Sequence, residues 1–335
     1  METLVLDRDA VERNARMGDV IPAVEAAFAA YQRDDVEMPA KSYVELPEYN
    51  GDFRSMPAYM HAQGNGTREE WDAAAVKWVN VHPDNPGDYD LPTVMGTVIY
   101  SDPETGFPLS IMDGTELTRQ RTGAAAAVAT DHLAVVDATS LGIVGAGVQS
   151  YTQLEAIAAI RPIERVVVSD LNNEAVDRFI DEFGDEFDVR SGSVAEAASC
   201  DVLSTVTPVR EPIVDRADVG EHTHINAMGA DAAGKQELDA DIYPDAKLVI
   251  DDYEQCTHSG EINVAWSDGR LDDDDLYGEL GEIVAGSKSG RTDEDGISVF
   301  DSTGLAIQDV AAAHSVYERA SRDEEGTDFD LLGLA

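Results

Sequence analysis

Lysine is the scarcest charged residue of this chain, with only five among 335 residues. Lysine and arginine together number 23 against 67 aspartates and glutamates, so the formal net charge is −44 at pH 7. A surface of this charge repels phosphate backbones and anionic lipid headgroups, which excludes nucleic acid and anionic membranes as partners. The composition is typical of a halophile, since concentrated salt screens the self-repulsion and leaves the benefit of solubility.

Cysteine and long apolar runs are also scarce. Cys200 and Cys256 cannot form a metal site by themselves, and their paired oxidation is disfavoured in a reducing compartment. Residues 1–16 do not resemble a secretory leader, and no apolar run approaches the roughly 18 residues of a membrane span. We therefore expect a soluble, cytoplasmic protein. Disorder is excluded because 43% of the residues are hydrophobic.

The pattern along the chain changes near Thr139. Before it, residues 40–112 are rich in β-branched and aromatic residues and contain a hairpin turn at 101–106. After it, short apolar strands alternate with helices, which favours a parallel, doubly wound sheet. The predicted strands are 53–60, 73–82, 93–100, 107–112, 140–144, 165–169, 201–206, 223–226, 247–250 and 297–300.

Helices are predicted over 113–133, from the glycine turn to a point before Pro162, over 172–183 and after Gly304. The first begins at a capping-box pattern, with Asp113 followed by Glu116. The last has apolar residues at helical spacing, so we expect it to pack on the N-terminal domain. The acidic stretches 272–275 and 322–330 are predicted to be a solvated loop and a solvated tail.

A nucleotide-binding turn is indicated by the sequence Gly145-Ala146-Gly147-Val148-Gln149-Ser150, which follows a predicted strand and opens a helix. Gly145 permits the tight turn, Gly147 lets a pyrophosphate approach the helix N-terminus, and Ser150 is small enough for the third glycine position. Asp170 ends the next strand and would accept hydrogen bonds from the adenosine ribose. Its carboxylate would repel a 2′-phosphate, so NAD is favoured over NADP.

Lys77 lies in a strand whose alternation places it on the same face as Ala75, Val79 and Val81. Burial there would lower the pKa of its ammonium towards neutrality, which suits a general acid/base. Snorkelling from an edge strand is the structural alternative.

Two arginines and an aspartate are further candidates. Arg121 shares a helix face with alanines and needs an anionic partner, either a substrate carboxylate, a cofactor phosphate or an acid of the chain itself. Arg54 is a second candidate clamp, with a weaker signal. Asp231 follows a strand and a glycine-containing loop, where active-site residues of open α/β sheets gather. The pair His222 and His224 has no further ligands nearby in sequence, so no metal is expected.

Together these segments resemble the ornithine cyclodeaminase/mu-crystallin family, and within it the archaeal alanine dehydrogenases. The resemblance runs from about Met38 to Ala313. The motifs that carry it are Arg54-Ser55-Met56-Pro57-Ala58-Tyr59, Val76-Lys77-Trp78-Val79-Asn80-Val81-His82-Pro83, Leu91-Pro92-Thr93-Val94-Met95-Gly96, Thr105-Gly106-Phe107-Pro108, Met112-Asp113-Gly114, Leu117-Thr118, Arg121-Thr122-Gly123-Ala124, Gly145-Ala146-Gly147-Val148-Gln149 and Asp301-Ser302-Thr303-Gly304.

The resemblance implies an α/β fold in which a central Rossmann-type doubly wound parallel sheet is joined by a discontinuous α+β substrate and dimerisation domain. We expect residues 1–118 with 308–335 to form the substrate domain and residues 119–307 to form the NAD domain. A homodimer is implied as well.

The resemblance also implies roles for individual residues. Lys77 would be the proton donor and acceptor, and Asp231 would assist it. Substrate contacts are expected from Arg54, Arg121, Lys41 and Thr93. Cofactor contacts are expected from Arg121, Thr122, Gly145, Ala146, Gly147, Val148, Gln149, Asp170, Leu171, Thr207, Met228, Gly229, Ala230 and Thr303.

The implied function is that of an NAD-dependent L-alanine dehydrogenase. In ornithine cyclodeaminases of the family a glutamate stands two residues before the Met-Pro step, and here that position is Arg54. A cation disfavours the side-chain ammonium of ornithine and favours a small amino acid or its oxo acid. The alternatives are an ornithine cyclodeaminase, a cyclic-imine (pyrroline-carboxylate) reductase and a non-enzymatic dinucleotide-binding protein similar to mu-crystallin.

Overall fold

The computed structural model describes residues 2–63 and 69–334. Within these residues the strands are β1 (Thr3–Leu6), β2 (Val36–Glu37), β3 (Ser42–Leu46), β4 (Gly51–Ala62), β5 (Trp71–Val81), β6 (Val94–Ser101), β7 (Pro108–Asp113), β8 (Ser140–Val144), β9 (Arg165–Ser169), β10 (Asp188–Ser191), β11 (Val202–Thr205), β12 (His224–Ala227), β13 (Ala246–Ile250), β14 (Leu276–Glu279), β15 (Ile297–Asp301) and β16 (Thr327–Phe329). The α-helices in the same ranges are α1 (Arg8–Asn14), α2 (Met17–Gln32), α3 (Asn85–Asp88), α4 (Gly114–Leu133), α5 (Val148–Ala158), α6 (Asn173–Phe183), α7 (Val194–Ala198), α8 (Tyr253–Ser259), α9 (Asn263–Ser267), α10 (Leu280–Val284) and α11 (Ala306–Arg322).

The chain divides into two compact units. Unit 1 comprises Met1–Arg121 with Ala306–Ala335, and unit 2 comprises Thr122–Leu305. The chain passes from one unit to the other twice. The first passage lies within α4, and the second lies immediately before α11.

Unit 1 is built on a mixed eight-stranded sheet with the order β16-β1-β7-β6-β5-β4-β2, and β3 also pairs with β4. The long antiparallel pair of β4 and β5 brings Met56 opposite Lys77, and Arg54 opposite Val79. Helix α11 packs against α2 and across β4, β5 and β6. Its apolar residues are buried, including Ile307, Val310 and Val316. The expected packing of the last helix on the N-terminal segment is therefore confirmed.

Unit 2 is a parallel sheet of eight strands with the order β10-β9-β8-β11-β12-β15-β13-β14. Helices cover both faces, as predicted. One apolar cluster takes in residues of α5 and α6, such as Leu154 and Phe179, and another takes in residues of α7 and α8, such as Ala197 and Cys256. Chain order reverses at β8, which lies between β9 and β11. Ligands of open α/β sheets bind at such switch points, beyond the carboxyl ends of the strands.

Most predicted strands and helices are present, with ends shifted by one or two residues. The prediction of a solvated tail over 322–330 was wrong in part, because β16 pairs antiparallel with β1, and Thr3 lies opposite Phe329. All three residues of β16 are exposed, so the strand has no buried face and no alternation to reveal it. The stretch 272–275 is exposed as expected, although Asp273–Asp275 form one turn of 3₁₀ helix.

None of the helices in residues 2–63 and 69–334 combines the length and the hydropathy needed to cross a bilayer.

Candidate active site

Unit 1 contains a buried cluster of opposite charges centred on Lys77. Lys77 faces inward from β5 and is only 2% exposed. Its Nζ atom lies 2.8 Å from Oδ1 and 2.7 Å from Oδ2 of Asp309, which α11 carries across the sheet. The same Nζ donates to the Thr118 hydroxyl at 3.3 Å. The ammonium is thus fixed in position by the final helix of the unit.

The pKa of Lys77 is lowered to about 8. Burial is the largest cause, and the positive charges of Arg121 and Lys41 lower the pKa further, whereas Asp309 raises it. A lysine with this pKa exchanges its proton near neutral pH, which an exposed lysine does not.

Arg121 in α4 joins the same cluster. Its Nε donates to Asp309 Oδ1 at 3.1 Å, and its Nη1 donates to the Gln308 side chain at 2.9 Å. An acid of the chain is therefore at least one partner of this buried guanidinium. Sequence reasoning missed Asp309, because acids are abundant in this chain. The available signal was an aspartate between buried positions of an apolar helix face.

Arg54 lies opposite Val79, and Lys77 lies opposite Met56. Because Arg54 and Met56 are two residues apart in β4, Arg54 and Lys77 lie on the same face of the β4–β5 pair. Its guanidinium makes a two-bond ion pair with Asp52, with Nε–Oδ1 at 2.9 Å and Nη2–Oδ2 at 3.2 Å. The guanidinium carbon also lies 5.5 Å from the centre of the Tyr43 ring. Arg54 is thus held in one orientation by Asp52, a residue that the sequence did not single out.

The two other predicted substrate residues also lie in unit 1. Lys41 precedes β3, is half-buried and is close enough to affect the pKa of Lys77. Thr93 precedes β6 and is half-buried, and its carbonyl accepts from the amide of His82 at 2.8 Å.

The glycine turn of unit 2 follows β8 and leads into α5. Gly145 has a φ of 103°, which other residues rarely adopt, and its amide donates to the Ser169 carbonyl at 2.8 Å. Gly147 is the N-cap residue of α5, and a Cβ atom on it would meet nothing within 4 Å. Ser150 is fully buried and donates to the Gly147 carbonyl at 2.6 Å, as its packing position requires.

Asp170 lies just beyond β9, next to this turn. Its Oδ2 accepts from the Ala146 amide and its Oδ1 from the Asn172 amide, both at 2.7 Å. Leu171 is fully exposed and Val148 is 66% exposed. A glycine turn at a helix N-terminus, an adjacent carboxylate and exposed apolar side chains together fit a dinucleotide.

The other predicted cofactor residues in unit 2 lie in α4, in α5 and after the ends of three neighbouring strands. Thr122 is buried in α4, and Gln149 is half-buried in α5. Thr207 follows β11, the loop Met228–Ala230 follows β12, and Thr303 follows β15. Because β11, β12 and β15 are adjacent and parallel, these loops emerge at the same edge of the sheet.

Two buried carboxylates that sequence reasoning missed hold these loops. Glu237 accepts from the amide and the hydroxyl of Thr207, both at 2.7 Å, and from the Gly229 amide at 3.2 Å. Asp251 accepts from the Gly304 amide and the Ser302 hydroxyl, both at 2.9 Å, and from the Thr303 hydroxyl at 3.3 Å.

Asp231 belongs to unit 2, in the loop after β12, whereas Lys77 belongs to unit 1. The carboxylate of Asp231 pairs with Lys235 at 2.5 Å, and 41% of the Asp231 side chain is exposed. Two of the five lysines of the chain therefore pair with aspartates, Lys77 with Asp309 and Lys235 with Asp231.

The histidine pair does not present a metal site. His224 is buried in β12, where its ring nitrogens bond Ser298 and Asn226, whereas His222 is exposed. Burial lowers the pKa of His224 to about 3, so it is a neutral core residue. Cys200 and Cys256 are both buried, and both are free thiols.

The chain matches the model of the ornithine cyclodeaminase/mu-crystallin family over residues 1–324. It is 46% identical over 328 residues to an alanine dehydrogenase of Archaeoglobus fulgidus, with 98% of each chain covered. Its structure is similar to that of an archaeal alanine dehydrogenase dimer with bound NAD, with a TM-score of 0.91, 44% identity, and coverage of 99% of this chain and 100% of the other. It is also similar to a Thermococcus litoralis Δ1-pyrroline-2-carboxylate reductase in complex with NADH and L-proline, with a TM-score of 0.90, 36% identity, and coverage of 97% and 99%.

Proposed function

Because the chain belongs to the ornithine cyclodeaminase/mu-crystallin family, we propose that it is an NAD-dependent L-alanine dehydrogenase. This oxidoreductase converts L-alanine, NAD⁺ and water to pyruvate, ammonium, NADH and a proton, reversibly. The observation that carries the proposal is Lys77, buried with a pKa of about 8 and paired with Asp309, whose carboxylate it shares with Arg121. The similarity to archaeal alanine dehydrogenases supports the choice of substrate.

The residues around the glycine turn would hold the dinucleotide. The pyrophosphate would lie against the backbone at Gly147 and the N-terminus of α5, where a negative charge is stabilised by the helix. Asp170 would accept from the adenosine ribose, and its charge disfavours the 2′-phosphate of NADP. When bound, NAD⁺ supplies the acceptor for the hydride that leaves Cα of alanine.

Lys77 would carry the protons of the reaction. Neutral Lys77 takes a proton from the substrate ammonium, which makes the amine lone pair available as hydride leaves Cα. After it releases this proton to solvent, Lys77 takes a proton from the water that attacks the resulting iminium and gives that proton to the nitrogen. The hydroxyl of this carbinolamine then loses its proton as the carbon–nitrogen bond breaks, and the departing ammonia takes that proton up and leaves as ammonium. Asp231 shares this proton traffic. General acid/base catalysis of this kind typically contributes about 10²–10⁴-fold to the rate.

The cations of unit 1 would hold the substrate carboxylate. Arg54 has its guanidinium oriented by Asp52, and Arg121 has its guanidinium oriented by Asp309 and Gln308. Lys41 adds positive charge nearby, and Thr93 would contribute a hydroxyl. A carboxylate held by fixed guanidinium groups presents Cα in one orientation, which lowers the entropic cost of hydride transfer.

A cyclic-imine reductase is the second candidate, and the similarity to the pyrroline-carboxylate reductase favours it. The same groups would serve, since a cyclic imino acid also has a carboxylate beside a carbon–nitrogen double bond. The two candidates differ in whether ammonium is a separate substrate.

The experiment is NADH oxidation in molar KCl with pyruvate plus ammonium, compared with Δ1-pyrroline-2-carboxylate and with NADPH. We expect turnover that requires both pyruvate and ammonium, and that is faster with NADH. Turnover with the cyclic imine and none with pyruvate would replace alanine dehydrogenase by the second candidate. Conversion of ornithine to proline and ammonia without net NADH change would identify a cyclodeaminase instead. NADH binding without turnover of any substrate would leave a mu-crystallin-like binding protein.

Three features of the setting belong to the same proposal. The enzyme acts in the cytoplasm, as a homodimer, and in concentrated salt. The net charge of −44 repels pyruvate over long range, so added salt should lower KM for pyruvate by screening this repulsion.

A further inference from the structure

Glu237 bridges two loops of unit 2 with a single carboxylate. Oε1 accepts from the amide and the hydroxyl of Thr207, and Oε2 accepts from the amide of Gly229. These residues follow β11 and β12, which are neighbours in the sheet. One side chain therefore fixes both the spacing of the two loops and the direction of the Thr207 hydroxyl.

Glu237 is itself held by a chain of buried acids. Its own amide donates to Glu261 Oε1 at 2.7 Å, and the Glu261 amide donates to Asp301 Oδ1 at 2.9 Å. Together with Asp251, which holds the loop after β15, these residues form what we call the carboxylate scaffold: Glu237, Glu261, Asp301 and Asp251. All four are at most 1% exposed.

A buried carboxylate is costly unless it is satisfied, so its presence calls for a reason other than packing. Among the described residues, the hydrogen bonds to Glu237 come from backbone amides and hydroxyls, and none of its partners is a cation. Burial accordingly raises the pKa of Glu237. An apolar residue would fill the same space, but it would leave the loop amides without an acceptor.

The hydroxyl of Thr207 has one proton and two acceptor lone pairs. Since its proton is donated to Glu237 at 2.7 Å, the oxygen can only accept from any further partner. A ligand group in contact with this oxygen must therefore be a donor, and the amino group of a carboxamide is one.

We propose that Glu237 is a positioning residue that holds Thr207 as a hydrogen-bond acceptor for the carboxamide of the nicotinamide ring. The inference rests on the proposed function, because it assumes that the loops after β11 and β12 line the nicotinamide. It assigns a role to a residue that touches neither substrate nor cofactor and acts through Thr207 and Gly229.

The test compares the binding of NADH with that of its 3-acetylpyridine analogue, in which a methyl group replaces the carboxamide amino group. Dissociation constants are measured by fluorescence without a second substrate. We expect wild-type protein to bind NADH at least tenfold more tightly than the analogue. Glu237→Gln should lose most of this preference, because one amide oxygen cannot serve both Thr207 and Gly229. The matched control Glu221→Gln, an exposed position before β12, should keep it.

Thr207→Val removes only the hydroxyl and leaves Glu237 and both loop amides in place. It should abolish the preference, and the double variant should show no additional loss. Wild-type preference in folded Glu237→Gln would overturn the inference, as would wild-type preference in Thr207→Val. If Glu237→Gln does not fold, Thr207→Val decides. Failure of the wild-type protein to bind NADH at all would instead overturn the proposed function.

Discussion

Among the described residues, the Lys77 cluster of unit 1 and the carboxylate scaffold of unit 2 are both buried groups of ionisable side chains, and they are stabilised in opposite ways. In unit 1, Lys77 and Arg121 surround the single carboxylate of Asp309. In unit 2, the four acids of the carboxylate scaffold are held by amides and hydroxyls of the chain. The first cluster is compensated by charge and the second by hydrogen bonds.

The difference has a consequence for titration. Among charges of both signs, burial lowers the pKa of Lys77 while Asp309 opposes it, and the result is about 8. Among acids alone, burial and the charge of Asp251 raise the pKa of Asp301 to about 7. The cluster of Lys77, Arg121 and Asp309 can therefore exchange a proton and still bind an anion. The carboxylate scaffold is suited to accepting hydrogen bonds from backbone amides.

Removing the ammonium from the Lys77 cluster should have the largest effect. In Lys77→Met the stem still packs but no proton can be carried, so we expect kcat to fall about 10²–10⁴-fold. NADH binding, measured by fluorescence, should stay within a few-fold of wild type, because the glycine turn is untouched. Lys288→Met, at a half-buried lysine of unit 2 that pairs with Glu282, is the control. Activity close to that of wild type in Lys77→Met would remove the catalytic role.

A smaller effect is expected when the carboxylate of the same cluster is neutralised. Asp309 raises the pKa of Lys77, so Asp309→Asn should lower it below about 8. Because alanine oxidation needs neutral Lys77, kcat/KM should rise with pH through about 8 in wild type, and at lower pH in the variant.

The pH profile of kcat/KM for alanine checks this shift, with Asp323→Asn, just beyond the end of α11, as the control. A rise displaced to higher pH in Asp309→Asn would show that Asp309 does not stabilise the charged form of Lys77.

The smallest effect concerns the carboxylate scaffold and appears in stability. The pKa of Asp301 is raised from 3.8 to about 7, so the folded protein retains a proton that the unfolded chain releases. This contribution to stability is present below pH 4 and is lost as pH rises through 7. One such group changes the free energy of unfolding by about 1.4 kcal/mol per pH unit within that window.

The Asp301→Asn variant has no carboxyl group at position 301 that could release a proton. Its unfolding free energy should therefore fall less steeply between pH 5 and 7 than that of wild type. Urea unfolding at fixed KCl measures both slopes, and exposed Asp268→Asn serves as the control. Equal slopes for wild type and Asp301→Asn would argue against a raised pKa, whatever the overall loss of stability.

Lys77 and the glycine turn could be predicted because their residue types are informative in this chain. A lysine in an apolar strand is unusual among five lysines, and Gly145 and Gly147 stand between a strand and a helix. Asp309, Asp52 and Glu237 could not be predicted in the same way, since any of 67 acids is a candidate partner. Asp309 is also 232 residues from Lys77, and no local pattern reports such a pairing.

The strands of the fold also divide into those that the sequence predicts and those that it does not. The six inner strands of unit 2 were predictable from apolar runs, because strands buried on both faces carry them. The edge strands β10 and β14 were not predicted, and β10 is mostly exposed. The strands β3 and β16 are mostly or wholly exposed, and their pairing depends on backbone hydrogen bonds that leave little trace in side-chain pattern.

The position of α11 gives the two units different histories during synthesis. Unit 2 is one continuous stretch, so all of its strands have been made before the first residue of α11 is added. Unit 1 begins with the first strand but lacks Asp309 until more than nine-tenths of the chain has been made, and until then Lys77 has no carboxylate to balance its charge. The cluster that would carry the protons is therefore completed only after every strand of unit 2 has been made.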